Sequence, residues 1–208
     1  MITNQIRILA VDDHPLLREG IAAVIHGEDD MVLVAAATNG QEAIESFRNH
    51  RPDITLMDLQ MPGMNGIDTI LAIRREFPNA RFIVLTTYQG DVLALRALKA
   101  GAAGYLLKNM LGKELLNTIR TVHSGRRHIP PDILAELSEH MTDDALSERE
   151  IEILRMVAMG HSNKIVGSHL KLTEATVKGY MKSIFAKLGA KDRTHAVTIA
   201  MKRGFIDA

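Results

Sequence analysis

Cysteine is absent from the 208 residues, which excludes disulfides, thiolate zinc clusters and thiol catalysis. No apolar run approaches the roughly 20 residues that a membrane helix needs. The N-terminus also lacks the basic and then apolar layout of a signal peptide. The expectation is therefore a cytoplasmic protein with no membrane partner. The glycine-rich Walker and dinucleotide spacings are missing, which argues against nucleotide binding by those routes. Nine histidines are present, but no pair has zincin or zinc-finger spacing, and His14 reads as a rim residue beside Asp13.

What is present suffices for a sizeable core. Hydrophobic residues make up 46% of the chain, and its length lies where one domain gives way to two, so two are expected. The formal net charge of zero conceals an asymmetry. Residues 1–143 carry 14 Lys plus Arg against 18 Asp plus Glu, and residues 144–208 carry 11 against 7. A basic C-terminal part is compatible with a polyanionic partner, and equally with a solvated helical surface.

From Ile6 to Lys108, β-branched runs alternate with segments of helical period, the pattern of a parallel sheet with crossover helices. Strands are expected at Ile6 to Val11, Val32 to Ala36, Ile54 to Met57, Phe82 to Thr86 and Tyr105 to Leu107. Helices are expected near Pro15 to Ile25, Gly40 to His50, Asn65 to Glu76, Val92 to Ala100 and Lys113 to Ser124. This predicts an α/β domain with a doubly wound, five-stranded parallel sheet. The segment Gly125-Arg126-Arg127-His128-Ile129-Pro130-Pro131 reads as an interdomain break. A short helix, Asp132 to Met141, and the polar stretch Thr142-Asp143-Asp144 follow. Beyond them lie four helical segments, with starts marked at Ser147, Ser162 and Thr173, and Ser147 with Glu150 fits a capping box. The expected division is a first domain over residues 1–123, a linker over 124–143 and an all-α domain over 144–208.

Asp12-Asp13 and Asp58 each follow a strand, so all three should meet in the crevice outside the strands' C-terminal ends. Clustered carboxylates repel one another unless a hard cation such as Mg²⁺ or Mn²⁺ neutralises them. Asp58 is the candidate nucleophile of an aspartyl phosphate, with Asp12 and Asp13 as the metal pair. A turn or capping aspartate before Met61-Pro62-Gly63 is the alternative for Asp58. Lys108 and Thr86 close two further strands, where an ammonium and a hydroxyl could reach phosphoryl oxygens.

The strings Val11-Asp12-Asp13-His14-Pro15, Met57-Asp58-Leu59-Gln60-Met61-Pro62-Gly63-Met64-Asn65-Gly66, Leu85-Thr86-Thr87 and Gly101 to Lys108 together resemble the receiver domain of two-component response regulators. The resemblance spans residues 6 to 123. It implies that Asp58 accepts a phosphoryl group from a sensor histidine kinase. It further implies that Asp12, Asp13, Asp58 and the backbone carbonyl of Gln60 hold Mg²⁺, and that Thr86 and Lys108 grip the phosphoryl group. Tyr105 would be an aromatic switch, with a buried core tyrosine as the alternative.

In the C-terminal part, Val177, Met181, Ile184 and Leu188 form one helical stripe, with Lys178 and Lys182 on another face. Lys171-Leu172-Thr173 is the short connection of a helix-turn-helix. The following helix would present Thr176, Lys178 and Lys182 to a major groove of double-stranded DNA, unless the unit is a helical hairpin with solvated lysines. Leu146 to Glu150, Ala158 to Lys164, Thr176-Val177-Lys178, Lys187 to Ala190 and Arg193 to Val197 resemble the LuxR-type output domain of the NarL/FixJ class. Lys164, Lys182, Lys187, Lys191 and Arg193 are candidate phosphate contacts. Gly179 is a place where backbone could approach DNA closely. Family members usually have Glu-Ile where this chain has Ile165-Val166, and commonly a His in place of Tyr180. The last helix, about Thr194 to Arg203, often forms a dimer interface in that family, and its apolar residues also suit an intradomain core.

The expected function is a phosphorylation-controlled DNA-binding regulator, not an enzyme, that forms a homodimer on phosphorylation. One rival is a phosphohydrolase using Asp58, although the dehalogenase type places an Asp-x-Asp pair after its first strand. A second is a ligand-sensing LuxR-type regulator, against which the acidic crevice and the absence of Trp argue. A third is a receiver whose output helices bind protein.

Overall fold

The computed structural model describes residues 5–87, 91–139 and 146–206. The chain divides into two compact units.

The first unit follows the order β1 (Ile6–Val11), α1 (Pro15–His26), β2 (Met31–Ala37), α2 (Gly40–His50), β3 (Ile54–Asp58), α3 (Gly66–Glu76), β4 (Phe82–Thr86), α4 (Asp91–Ala100), β5 (Gly104–Leu107) and α5 (Leu111–His123). A single 3₁₀ turn, Lys108–Met110, leads into α5. The strands form one parallel sheet in the order β2-β1-β3-β4-β5. A parallel sheet is covered on both faces, so its strands are apolar throughout instead of alternating. Thus Ile8, Leu9, Ala10, Val11, Ile54, Leu56, Ile83, Val84 and Leu85 are all inaccessible to solvent. Each large side chain among them contributes about 1.5–3 kcal/mol by leaving water. α5 places Leu111, Leu115, Ile119 and Val122 on one stripe against this core.

The strand order reverses between β1 and β3, because β1 sends its chain outward to β2 and the next crossover returns past it. A crevice opens at such a switch point, at the strands' C-terminal ends. Asp12 directly follows β1 and Asp58 is the last residue of β3. Two backbone caps fix the neighbouring loops, the Asn39 side chain accepting from Glu42 N–H and that of Asn65 from Asp68 N–H.

The break expected after Ser124 is structured. His128 bridges Gly104, its N–H donating to Ala103 O and its carbonyl accepting from Tyr105 N–H. An edge strand carries unpaired backbone groups; His128 takes up the Tyr105 N–H of β5 and the Ala103 carbonyl just before it, and the first unit runs on to Leu134. α6 spans Pro131–Glu139. The expected helix end at Met141 and the stretch Thr142-Asp143-Asp144 lie outside the described residues.

The second unit contains α7 (Glu148–Ala158), α8 (Asn163–Leu170), α9 (Glu174–Leu188) and α10 (Arg193–Arg203). Ser147, Ser162, Thr173 and Asp192 cap their first turns through side-chain oxygens. Val177, Met181, Ile184 and Leu188 of α9 pack with Ile153, Leu154, Val157, Val166, Ala196 and Ala200 around one small core. The turn between α8 and α9 passes through Lys171 in a left-handed conformation, φ 55°. Gly167, inside α8, packs against that turn, since a Cβ there would lie 2.7 Å from Leu172 O.

Candidate functional site

Four of the expected residues meet at the switch point. Asp12 and Asp58 are buried, at 0% and 1% exposure. Lys108 Nζ lies 2.8 Å from Asp12 Oδ2 and 2.8 Å from Asp58 Oδ2, reaching them from the first turn after β5. Asp13 is partly exposed and completes the cluster, and carboxylate oxygens of all three aspartates lie within 4.8 Å of one another, with His14 at the rim. The register explains the convergence. Asp58 pairs with Leu85, one residue before Thr86, and Thr86 pairs with Leu107, one residue before Lys108. The strand ends step across the sheet and deliver the carboxylates and the ammonium to one crevice, with Thr86 ending the strand between them.

The electrostatics are those of a site built for more positive charge than it holds. Burial pushes the Asp58 carboxyl above its ordinary value and the nearby Asp12 charge adds to this, while Lys108 and the Gln60 N–H oppose them. Burial alone would lower the Lys108 ammonium, but the two aspartates outweigh it and the net shift is upward. Asp12 Oδ2 and Asp58 Oδ2 share the one Lys108 ammonium, and Asp13 Oδ1 faces His14 Nδ1, so two buried carboxylates have a single full positive charge between them. Three carboxylates gathered around one ammonium leave an excess of negative charge, which is costly in a buried crevice unless a further cation balances it. The donor set, oxygen-only apart from His14, therefore fits a hard divalent ion.

Backbone and rim contacts fix the aspartates. His14 N–H donates to Asp12 Oδ1 at 2.8 Å, and His14 Nδ1 lies 2.8 Å from Asp13 Oδ1. Arg18 donates to the Asp12 carbonyl at 2.6 Å, a contact one helical turn away that the sequence did not mark. Gln60 N–H donates to Asp58 Oδ1 at 3.2 Å. Gly66 opens α3 directly against the Asp58 backbone, and a Cβ there would overlap the Asp58 carbonyl. Thr86 is 1% exposed at its strand end, and Tyr105 is wholly buried on β5.

In the second unit, Lys164, Thr176, Lys178, Gly179, Lys182 and Lys191 are exposed. Lys178 forms an i, i+4 pair with Glu174 at 3.2 Å, and a Cβ on Gly179 would meet open space. Two expected phosphate contacts are otherwise engaged. Lys187 Nζ donates to Glu150 Oε2 at 2.9 Å, inside a network in which Glu150 also receives Ser183 Oγ at 2.7 Å and Ser147 N–H at 2.8 Å. Arg193 donates to the carbonyls of Val157 and His161 and to Asn163 Oδ1. Both side chains therefore hold helices together, a role decided by partners about 30 or more residues away that a local reading cannot see. Glu150 is marked locally as a cap, while the partners that make it a hub, Ser183 and Lys187, lie on α9.

A response regulator receiver domain model matches residues 8–120, and a model of the luxR family of bacterial regulatory proteins matches residues 144–200. The chain belongs to the luxR-type response regulators. Its relatives match over nearly full length. The transcriptional regulatory protein LnrK of Bacillus subtilis (strain 168) is 34% identical, covering 96% of this chain and 98% of LnrK. The response regulator protein VraR of Staphylococcus aureus (strain Mu3 / ATCC 700698) is 34% identical, covering 97% and 99%. Among solved structures, the response regulator ChrA of a heme-sensing two-component system is 35% identical, with a TM-score of 0.58 over 98% of this chain and 100% of ChrA. The RcsB response regulator of Salmonella enterica serovar Typhimurium, at 24% identity and a TM-score of 0.73 over 96% and 99% of the two chains, shares the fold. In this response regulator, the acidic crevice lies within the receiver match and the α8-turn-α9 unit within the luxR match.

Proposed function

We propose that this response regulator takes a phosphoryl group from the phosphohistidine of a sensor kinase onto Asp58 and thereby controls binding of its luxR-type unit to double-stranded DNA. The observation that carries the reading is the single ammonium of Lys108 held 2.8 Å from both buried aspartates. In the reaction an Asp58 oxygen attacks phosphorus, the P–N bond breaks, and the leaving imidazole takes up a proton. Asp12, Asp13, Asp58 and the Gln60 carbonyl would hold Mg²⁺, which supplies the positive charge that lets a carboxylate and a phosphoryl group approach. Lys108 pairs with the transferred oxygens, and Thr86 donates its hydroxyl to them. Tyr105, two residues after Ala103 on the strand that leads to Lys108, serves as the element whose packing registers the movement of Thr86.

The receiver extends from residue 1 through the His128 bridge, the segment beyond it serves as linker, and residues 144–208 act as the DNA-binding unit, in a cytoplasmic protein. Lys164, Thr176, Lys178, Gly179 and Lys182 supply the DNA-facing surface, since they are exposed and lie on α8 and on α9, the second helix of the motif. The added charge of about −1.5 to −2 shifts an existing equilibrium toward a dimer on paired half-sites. Hydrolysis of small phosphate esters is not part of this reading.

The test is phosphotransfer from an acyl-phosphate donor with Mg²⁺ to the wild type and to Asp58→Ala, followed by sizing and DNA titration. Phosphate incorporation lost in the variant, with dimer and tighter DNA binding in the wild type alone, supports the proposal. Equal DNA affinity with and without donor rejects phospho-control.

A further inference from the structure

The far end of the receiver sheet, where the strands begin, carries a second polar site. A cavity of about 460 Å³ opens there, within the range of small-molecule pockets. Four arginines line it, Arg74, Arg81, Arg126 and Arg127, and no carboxylate does. Its floor is Ala102, Ala103 and Val122, with no aromatic ring.

Helices α3, α4 and α5 all end at this rim, and helix C-termini attract cations. Part of the arginine content is explained that way. Arg74 donates to Gly101 O at 2.8 Å and to Pro78 O at 3.0 Å, and Arg81 donates to His123 O at 2.9 Å. Three helix ends amount to about −1.5 charges, against four full positive charges, so the pocket keeps a cationic excess. Among the described residues none of the four forms an ion pair with an acid. The carbonyls use only part of the five donors on each guanidinium. Arg74 is moreover held in position, since a Cβ on Gly101 would collide with its guanidinium. Arg74 and Arg81, anchored on carbonyls, and the unanchored Arg127 with Arg126 line one open recess, all of them exposed except the half-buried Arg74.

We propose that this pocket binds a compact anion carrying two or more phosphoryl groups. Guanidinium forks match phosphate oxygens bidentately, several converging forks favour multiple phosphates over one, and the absence of aromatic rings leaves no stacking platform for a base. The phosphates, whether free or on a larger metabolite, are the recognised element.

Sodium pyrophosphate titrated into the full chain, in EDTA so that the acidic crevice plays no part, tests the site by calorimetry and by the arginine Nε–H resonances. The expected result is one saturating site that shifts Arg74 and Arg81 resonances. Affinity should fall at least about tenfold in Arg126→Gln/Arg127→Gln, and similarly in Arg81→Gln. AMP should bind more weakly than ADP if the paired phosphates are what is read. Both variants should keep the wild-type far-UV circular dichroism, which shows that they fold. No saturation by about 5 mM, or equal binding by wild type and both variants, overturns the proposal. So does duplex DNA shifting these resonances where pyrophosphate does not. Loss of Asp58 phosphorylation would leave this result unaffected, so the two readings fail separately.

Discussion

Replacing Glu150 by Gln keeps the shape of the side chain and removes its charge from the centre of the output unit. The carboxylate is 4% exposed and is held by Lys187, the Ser147 N–H and the Ser183 hydroxyl. Burial alone would raise its pKa, but these three partners bring it from the ordinary 4.5 down to about 2. A difference of about 2.5 units at about 1.36 kcal/mol each corresponds to about 3 kcal/mol of stability at neutral pH. The sign follows from linkage. A carboxyl with a depressed folded-state pKa contributes fully above the unfolded value near 4.5 and loses that contribution as pH falls toward 2. Amide exchange in the full chain reads this locally, at Ile153 and Leu154 of α7 and Ile184 of α9. At pH 7 the variant should exchange at these amides about 100-fold faster than wild type. The gap should narrow steadily below about pH 4.5 and close near pH 2. Exchange rates within about threefold of wild type at pH 7, or a gap that persists at pH 2, would refute the assignment of Glu150 as the charged hub.

Other expectations address the remaining sites. Lys108→Met leaves two buried carboxylates without their cation and should cost the receiver about 3–5 kcal/mol in EDTA, with Mg²⁺ recovering part of the loss in a thermal melt. Asp58→Asn should raise the receiver's melting temperature in EDTA, because burial holds the native carboxyl above its ordinary pKa; a lower melting temperature would contradict that direction. Gly66→Ala should cost about 1–3 kcal/mol through overpacking and slow phosphorylation, since its Cβ would displace the Asp58 carbonyl. Lys178→Ala and Lys182→Ala should each weaken binding to any duplex and shallow the salt slope by about one. Lys187→Ala should lower the melting temperature of the output unit and leave the slope unchanged.

The receiver was legible in sequence to the residue in places, and the reasons are local. α2 spans the expected Gly40–His50 because an Asn cap and a Pro after its last turn mark both ends. Ser147, Ser162 and Thr173 cap the helices they were expected to start, since capping depends on three or four neighbouring residues. The acidic crevice could be read because strand ends of a parallel sheet gather at one edge whatever the loops do. What escaped depends on contacts between distant segments. Lys187 and Arg193 look like surface cations along their helices, and only the packing of α7 against α9 and α10 turns them inward. The pairing of His128 with β5 was read as a break, because Gly125 and the two prolines flank a strand-like bridge too short to show alternation.

That bridge bears on how such proteins could be recombined. Cutting the chain at Ser124 to fit a foreign output module would strip Tyr105 N–H and Ala103 O of their backbone partners in His128. A chimera joined beyond Glu139 would carry the whole sheet edge with it, together with the nine-residue helix α6. Swapped regulators of this architecture should therefore inherit a sound receiver only when the junction is placed downstream of His128.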